Sequence, residues 1–221
     1  MKYLKTYDKL FESRGRMITL KSDEDFNKID DSVTDLMFYY VPSKWPKIPD
    51  HIKEIIICWK KDILNFENLE LPKELREFEC DHCDLEKLPE LPKKFMKLRC
   101  HYNQLTKLPK LPRSLKKLEC QYNKLTEIPD LPKDIKKCFF YDNPLERLPK
   151  GISKELLREN YYVSKDWFKD NMVKWLINEP NDYDLLKEYL TETQRKTFEE
   201  NGPDGFGSME QFGMFGLKND K

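Results

Sequence analysis

The sequence predicts a solenoid of stacked, similar turns with parallel β-strands along one side. Four successive blocks of 20 residues repeat nearly the same pattern between residues 71 and 150. Within each block the apolar residues return at fixed positions, while the positions between them are charged or polar. A fixed period of this length is the signature of a repeat architecture, because each turn can bury its apolar residues only against its neighbours.

The regular blocks are LPKELREFECDHCDLEKLPE (71–90), LPKKFMKLRCHYNQLTKLPK (91–110), LPRSLKKLECQYNKLTEIPD (111–130) and LPKDIKKCFFYDNPLERLPK (131–150). Their common pattern is L-x-x-L-x-C-x-x-N-x-L-x-x-L-P-x-L-P, the shortest form of the leucine-rich repeat. We therefore predict a leucine-rich repeat solenoid with parallel strands on the concave face. The convex side is expected to be extended and polyproline-like, with short helical caps at both ends.

Each fixed position of the repeat has a physical reason. In a short strand, Leu118 and Cys120 lie two residues apart and point inward, so the residues between them point outward. Asn123 bends the chain after the strand, and its amide can bond backbone groups that would otherwise be buried without partners. The prolines restrict the preceding residues to extended conformations, so L-P-x-L-P predicts the thin convex side.

Upstream, residues 31–70 carry the pattern in degenerate form. The segment HIKEIIICWKKDILNFENLE places four residues at the spacing of Leu98, Cys100, Asn103 and Leu105, namely Ile57, Trp59, Asp62 and Leu64. Before it, Val33, Leu36 and Phe38, followed by Ile48-Pro49, indicate one more turn. The prediction is about six turns across residues 31–150, and such an array needs atypical ends as caps.

The blocks resemble the short leucine-rich repeats of bacterial type III secreted effectors, in which the L-P-x-L-P element recurs. The resemblance covers roughly residues 30–150. Some of those effectors append a ubiquitin-ligase domain with a catalytic cysteine, but only about 70 residues follow the last repeat here and none is a cysteine. The resemblance thus implies the fold and not that activity. The opening MKYLKTYDKLFES also looks like the starts of small phage proteins, so a bacterial or phage origin is expected.

The ends of the chain are predicted to be helical caps. In residues 1–30, Leu4, Tyr7, Leu10 and Phe11 share one face of an amphipathic helix over residues 2–13, and Ser22-Asp-Glu-Asp resembles a capping box. The opening has no uninterrupted apolar run, so no signal peptide is predicted. Because no apolar run is long enough to span a membrane, we expect a cytoplasmic protein with reduced thiols.

Residues 151–200 form the predicted C-terminal cap. Phe168, Met172, Trp175 and Leu176 share one helical face, with Ser164 or Asp166 as the start and Pro180 as the stop. A second helix is predicted over residues 182–200. Two interpretations stay open, namely a cap on the last repeat and a helical pair that binds a partner. Residues 201–221, rich in glycine and phenylalanine, are expected to be a flexible tail.

The cysteines suggest a metal site, but the repeat pattern accounts for their positions without one. Cys80-Asp-His-Cys83 has C-x-x-C spacing, but Cys80, Cys100 and Cys120 occupy the inward strand position and Cys83 occupies the asparagine position. Buried free cysteine behaves as a small apolar residue. The histidines are His51, His82 and His101, and the latter two fall on the predicted outward strand surface with no serine or cysteine nucleophile in register. We therefore expect no metal, no cofactor and no enzymatic activity.

The predicted binding surface comprises outward strand positions and the turns that follow them. Its residues are Lys97, Arg99, His101, Tyr102, Lys117, Glu119, Gln121, Tyr122, Lys137, Phe139 and Tyr141. Parallel strands place equivalent residues side by side, so the charges can simply pair with one another on a solvated sheet. The second interpretation is a recognition surface centred on Arg99, Tyr102, Tyr122, Phe139 and Tyr141, since interfaces favour tyrosine and arginine.

Composition limits the function classes. The 40 basic and 40 acidic residues cancel, so neither nucleic acid nor an anionic membrane is an expected partner. The leading hypothesis is a non-catalytic, monomeric scaffold that binds an unidentified protein on its concave face. The alternative is an effector-like adaptor whose C-terminal helices or Phe/Gly tail recruit a second factor. Nucleic-acid binding through Lys97, Lys117 and Lys137 is the third hypothesis.

Overall fold

A parallel sheet of seven strands runs through the computed structural model, which describes residues 16–40, 42, 44–57, 66 and 69–204. The strands are β1 (Arg16–Leu20), β2 (Val33–Phe38), β3 (Glu54–Ile57), β4 (Glu77–Glu79), β5 (Lys97–Arg99), β6 (Lys117–Glu119) and β7 (Lys137–Phe139). They lie side by side in chain order, and every neighbouring pair is parallel. Each turn of the chain therefore adds one strand to the sheet.

The strands are short because each repeat supplies only two inward side chains before it bends. Equivalent inward residues pair across β4 to β7, so that Leu98 lies between Phe78 and Leu118. These residues, and the cysteines two positions later at Cys80, Cys100 and Cys120, are fully buried. The returning segment adds the buried residues Leu85, Leu105, Leu125 and Leu145 to the same core. The inward alternation predicted from the sequence is confirmed.

The convex side is thin, as the prolines predict. No helix interrupts the chain between Glu77 and Phe139, all of which is described. After each L-P-x-L-P element the chain makes a tight turn, in which the Leu115 amide donates to the Pro112 carbonyl at 3.0 Å. The same turn recurs one period earlier and one period later. The chain thus returns to the next strand within 20 residues.

The register of β3 differs from the predicted one. The spacing placed Ile57 at the position of Leu98, whereas the structure pairs Ile55 with Phe78 and hence with Leu98. Ile57 instead takes the position of the inward cysteines. The prediction was wrong by two residues because side chains alternate with a period of two, so a shift of two keeps the same residues in the core. Trp59, Asp62 and Leu64 lie outside the described residues.

The N-terminal region contains a strand where only helices were predicted. β1 pairs with β2 and extends the sheet by one more turn. A 3₁₀ helix follows at Asp23–Lys28, and the Asp25 carboxylate accepts hydrogen bonds from the backbone amides of Lys21 and Ser22. This contact is half of the predicted capping box. The amphipathic helix predicted over residues 2–13 lies outside the described residues.

The C-terminal region is helical but more divided than the sequence suggested. Its α-helices are α1 (Lys154–Val163), α2 (Lys165–Asn178), α3 (Tyr183–Leu186) and α4 (Glu192–Asn201), with 3₁₀ turns at Pro180–Asp182 and Lys187–Tyr189. α2 begins after Ser164 and ends before Pro180, as predicted. The single helix predicted over residues 182–200 was wrong, because Thr191 and Gln194 form a capping box that starts a new helix. α1 was not predicted.

The helical region closes the last repeat through hydrogen bonds to its backbone. Asn160 of α1 is fully buried, accepts from the Phe140 amide at 3.0 Å and donates to the Cys138 carbonyl at 2.7 Å. The indole of Trp175 donates to the Leu145 carbonyl at 3.1 Å. The architecture is a leucine-rich repeat solenoid of about six turns with helices at its C-terminal end. Most of the predicted tail, residues 205–221, lies outside the described residues.

Candidate interaction surface

The concave face carries the outward residues of the strands in two straight rows. One row places Lys97, Lys117 and Lys137 side by side. The other places Arg99 between Glu79 and Glu119, followed by Phe139. The sequence predicted both rows, because strands stacked in register bring equivalent positions of successive repeats together.

Arg99 is held by carboxylates of its own chain. Its Nη1 lies 3.1 Å from Glu79 Oε1, and its Nε lies 2.9 Å from Glu119 Oε2. Its Nη2 is a further 3.7 Å from Asp81 Oδ2. Only 28% of the Arg99 side chain is exposed. Arg99 therefore links carboxylates of neighbouring strands, and its guanidinium is already paired within the chain.

The lysine row is neutralised in the same way. Lys97 Nζ lies 3.0 Å from Glu77 Oε2 and 3.2 Å from Glu79 Oε1. Lys117 and Lys137 approach Glu119 Oε1 at 2.9 and 3.8 Å. Lys137 also lies 4.5 Å from the centre of the Phe139 ring, a cation–π distance. Each lysine of the row therefore has a carboxylate of the same face within 4 Å.

Glu119 is the centre of this network. Burial raises the pKa of its carboxyl, but the hydrogen bond from Lys117 and the charges of Lys117, Arg99 and Lys137 outweigh burial and lower the pKa below its ordinary value of 4.5. Its side chain is only 8% exposed. The cations around it therefore hold the carboxylate ionised inside the surface.

Glu119→Gln should destabilise the protein by about 1–3 kcal/mol at neutral pH, since three cations lose their shared carboxylate. A carboxyl whose pKa is lower in the folded protein stabilises the fold fully above its unfolded value, and this contribution disappears as the pH falls through the folded value. The stability difference between parent and variant should therefore shrink as the pH drops below 4.5. Urea unfolding at pH 7, 5 and 3 measures the difference.

The control for this prediction is Glu127→Gln. Glu127 pairs with Arg147 at 3.1 Å on the opposite side of the molecule and is 57% exposed. An exposed pair contributes little, so its removal should change stability by less than about 1 kcal/mol at any of the three pH values. Equal effects of the two substitutions would contradict the central role of Glu119.

A row of exposed and partly buried aromatic rings runs along the edge of the concave face where the strands end. We call it the aromatic strip, and its residues are His82, Tyr102, Tyr122, Tyr141 and Phe139. The rings of Tyr102 and Tyr122 are stacked at 4.2 Å with an interplanar angle of 10°. His82 stacks on the other face of the Tyr102 ring at 4.3 Å, and Tyr141 meets Tyr122 edge-on at 5.5 Å. Tyr102 is 44% exposed and Tyr122 is 37% exposed.

The backbone holds these rings in an uncommon conformation. His82, Tyr102 and Tyr122 have φ values of 56°, 53° and 56°, in the left-handed region that side chains other than glycine seldom adopt. Each such residue costs on the order of 1 kcal/mol. The amides of Tyr102 and Tyr122 offset part of this cost by donating to carbonyls of the next turn. The strip is therefore preorganised and does not have to be ordered by a partner.

The protonation of the strip is set by its own contacts. The hydrogen bond with Tyr102, followed by burial, raises the pKa of the Tyr122 hydroxyl above its ordinary value. Burial, followed by the charge of His101, lowers the pKa of His82. The lowered pKa of His82 favours its neutral form at neutral pH, and the raised pKa of Tyr122 favours its neutral form as well.

The structure separates the predicted site residues into two groups. The aromatic members come together in the strip, where Tyr102 and Tyr122 are exposed and Phe139 and Tyr141 are partly buried. His101 and Gln121 are instead less exposed than the two stacked tyrosines. His101 Nε2 lies 2.8 Å from Asp81 Oδ2, and Gln121 is buried. The centring of the site on Arg99 remains a prediction, but the pairing of Arg99 limits what it can contribute.

His82 belongs to the strip although it was not among the predicted binding residues. A signal was present, because His82 occupies in its repeat the position that Tyr102 and Tyr122 occupy in theirs. In the sequence alone, its place between Cys80 and Cys83 suggests a metal ligand. Its ring instead extends the stack by one member.

The cysteines form part of the core. Five of them, Cys80, Cys83, Cys100, Cys120 and Cys138, are buried and free, while Cys58 lies outside the described residues. Burial is the main cause that raises the pKa of Cys80, Cys100 and Cys120 well above the ordinary value of a thiol. In the part of the chain that the structure describes, no group of three or more His, Cys, Asp or Glu side chains is arranged to hold a metal ion. Among the described helices, none has the length and apolar character needed to cross a membrane.

Comparison with known proteins finds similarity among solved structures. No protein-family model matches the chain, and the search of curated proteins finds no match. The chain is similar to YopM from Yersinia enterocolitica, with 25% sequence identity and a TM-score of 0.39. The match covers 55% of this chain and 31% of that one, so this chain spans less than a third of the length of YopM.

Proposed function

We propose that this protein is a non-catalytic scaffold that binds a protein partner through the aromatic strip and the adjoining concave face. The observation that carries the proposal is the strip itself. Two tyrosines, each more than a third exposed, are stacked and fixed by a left-handed backbone instead of being packed into the core. Rigid aromatic side chains are the anchors that protein interfaces favour, because they bury a large area at a small entropic cost.

The charge network beside the strip supports a protein partner over nucleic acid. The face cations Lys97, Arg99 and Lys117 all pair with carboxylates within 3.2 Å. A nucleic-acid surface would need such cations to be available to phosphates. A neutral, well-ordered polar surface next to aromatic anchors instead matches the ordinary anatomy of a protein interface, with apolar anchors and a polar surround.

Replacing both stacked tyrosines, Tyr102→Asn and Tyr122→Asn, should reduce partner capture at least tenfold. Asparagine is the better substitute here because it tolerates a positive φ more readily than alanine does. The full-length protein is immobilised, exposed to an extract of the source organism, and the bound proteins are quantified by mass spectrometry. Circular dichroism and the thermal midpoint show whether the fold is retained.

The matched control is Tyr162→Ala, which removes a tyrosine that is 66% exposed on α1, away from the strip. It should leave capture of the same protein unchanged. Equal capture by the parent and by the strip variant would contradict the proposal. A protein lost only from the Tyr162 variant would support the adaptor hypothesis.

The adaptor hypothesis draws on large side chains that the C-terminal helices expose. Val163 at the end of α1 is 54% exposed, next to Tyr162, and Ile177 of α2 is 37% exposed. Contiguous exposed apolar side chains can mark an interaction site, but Val163 and Ile177 lie near opposite ends of α2, about 20 Å apart. The scaffold function therefore remains the leading proposal.

A further inference from the structure

The edge of the solenoid where the strands begin is strongly basic. The chain enters β3 to β7 through five equivalent turns, residues 50–53, 73–76, 93–96, 113–116 and 133–136, all of which are described. These turns contain nine basic residues and three carboxylates. We call this surface the basic edge, and its basic residues are Lys53, Lys73, Arg76, Lys93, Lys94, Arg113, Lys116, Lys133 and Lys136. All of them are exposed except Lys116, which is partly buried.

The net charge of zero conceals the basic edge, because acidic residues are placed elsewhere. The turns that follow β4 to β7, residues 81–84 and their equivalents in the next three repeats, contain three aspartates and one lysine, namely Asp81, Asp84, Asp142 and Lys124. The two edges of the sheet therefore carry charge of opposite sign. Composition averages over both edges and does not reveal either of them.

Backbone hydrogen bonds hold the turns of the basic edge in register. The Lys136 amide donates to the Lys116 carbonyl, and the Lys116 amide donates to the Met96 carbonyl, each at 2.8 Å. The same contact, at the same length, continues from Met96 to Arg76 and from Arg76 to Lys53. Neighbouring turns are about 4.8 Å apart, so the edge extends for about 20 Å. Basic side chains follow one another at this interval, and Met96 is the one interruption of this row.

Most of the cations on the basic edge are not paired within the described part of the chain. Three of the nine pair with carboxylates of these turns, namely Lys73 with Asp50, Lys94 with Glu74 and Lys116 with Asp134. The other six have no carboxylate within 4 Å among the described residues. On the concave face, by contrast, Lys97, Lys117 and Lys137 each have one. The basic edge is therefore where positive charge is available to a partner.

Carboxylates are the groups that lysines of this edge already bind. Lys94 and Glu74 belong to successive turns, and Lys94 Nζ lies 2.7 Å from Glu74 Oε1, so a carboxylate can bridge neighbouring turns. In an α-helix, residues three and four positions apart are separated by about 4.5 and 6 Å along the axis, close to the interval between the turns. Acidic side chains on one face of a helix can therefore meet successive turns.

Single-stranded nucleic acid fits the basic edge less well. Proteins that bind it without sequence preference stack its bases on aromatic side chains. The five turns contain a single Phe, Tyr or Trp residue, Phe95, and its side chain is fully buried. The edge thus offers charge without a stacking surface, which matches carboxylates on a protein better than bases.

We propose that the basic edge binds an acidic α-helical segment of a protein, whose glutamates or aspartates at three- and four-residue spacing pair with successive turns. The aromatic strip lies at the opposite edge of the sheet, where the strands end. The inference therefore does not depend on whether the strip binds a partner.

Two synthetic alanine-rich peptides of about 20 residues, long enough to form helices, test the proposal. They contain the same number of glutamates, placed on one helical face in the first peptide and distributed around the helix in the second. The full-length protein should bind the first peptide at least tenfold more tightly, as measured by fluorescence anisotropy at low salt. Exposed charge pairs are screened by salt, so the affinity should fall as the salt concentration rises.

Reversing three exposed cations of the basic edge should lower the affinity for the first peptide at least tenfold. The variant carries Lys93→Glu, Arg113→Glu and Lys133→Glu. Glutamine at the same three positions removes the charges without adding repulsion, so it keeps the test decisive if the first variant loses its fold. Circular dichroism and the thermal midpoint show whether each variant is folded.

The matched control reverses three exposed lysines that come after the strands and so changes the net charge equally. It carries Lys87→Glu, Lys107→Glu and Lys124→Glu, and it should retain most of the affinity. The variant with Tyr102→Asn and Tyr122→Asn should bind the peptide as the parent does, which separates this proposal from the one for the strip.

Three outcomes would overturn the proposal. Equal losses in the edge variant and the matched control would show attraction to net charge alone. Equal affinity for the two peptides would show that the spacing of the carboxylates is not recognised. Tighter binding of a DNA duplex, or of vesicles containing phosphatidylserine, than of the first peptide at the same salt concentration would identify a different class of partner.

Discussion

Asn103→Ala is expected to lower the free energy of unfolding by about 4 kcal/mol. The side chain of Asn103 makes five hydrogen bonds inside the solenoid. Its Nδ2 donates to the carbonyls of Cys80, Cys100 and His101 at 2.8, 3.0 and 3.2 Å. Its Oδ1 accepts from the amides of Cys83 and Leu85, each at 3.0 Å. Alanine removes the hydrogen bond to the Cys80 carbonyl and those from the Cys83 and Leu85 amides, and each such loss in a buried site costs about 1–3 kcal/mol. The carbonyls of Cys100 and His101 keep their bonds from Asn123 Nδ2 and from the His82 amide.

Gln104→Ala is the matched control, because it removes an amide side chain from the adjacent, partly exposed position. We expect its effect to stay within about 0.5 kcal/mol. Urea unfolding followed by circular dichroism measures both variants under the same conditions. Asn103, Asn123 and Asn143 make equivalent hydrogen bonds in successive turns, and we call them the asparagine ladder. A loss below 1 kcal/mol for Asn103→Ala would show that this ladder forms with the fold but does not stabilise it.

Trp175→Ala should lower the free energy of unfolding by about 3–5 kcal/mol. The loss of stability should be largest in the last repeat. Trp175 is fully buried, its ring lies 5.3 Å from that of Phe168, and its indole donates to the Leu145 carbonyl. Alanine leaves a cavity and an unsatisfied carbonyl at the junction of α2 and the solenoid. In a repeat array each turn is stabilised mainly by its neighbours, so the loss of the cap should loosen residues 131–150 first.

Hydrogen exchange can localise this effect. Backbone amides of residues 131–150 should exchange at least tenfold faster in Trp175→Ala, while those of residues 71–90 should be almost unchanged. Ile177→Ala is the control on the same helix, since Ile177 is 37% exposed and its truncation leaves no cavity. Uniformly faster exchange along the chain would instead indicate that the solenoid unfolds as one cooperative unit.

The regular repeats could be predicted almost completely from the sequence. Because equivalent residues of in-register parallel strands lie side by side, the period alone predicts that Lys117 stands between Lys97 and Lys137. The period also explains why the cysteines are buried, because they occupy inward positions of the repeat and no metal or redox role is needed to account for them. The prediction failed where the pattern decays, since a period of two cannot distinguish Ile55 from Ile57 as the first inward residue of β3.

The ends and the candidate site needed the tertiary structure. Asn160 continues the asparagine ladder from a helix, 17 residues after Asn143 and therefore out of period. The strip required the left-handed turns that bring His82 and Tyr102 face to face. Whether Arg99 can bind a partner depends on which carboxylates of its own chain pair with it, and the sequence does not give those distances.

The sequence by itself determined the solenoid, its inward residues and the order of charges on its concave face, because each of these follows from one repeated local contact. Only the tertiary structure decided which of those charges are neutralised, which rings stack and which outward residues are buried. These properties arise where turns with different side chains meet, or where the ends of the chain contact the array. A period describes what neighbouring turns share, whereas the site depends on how they differ.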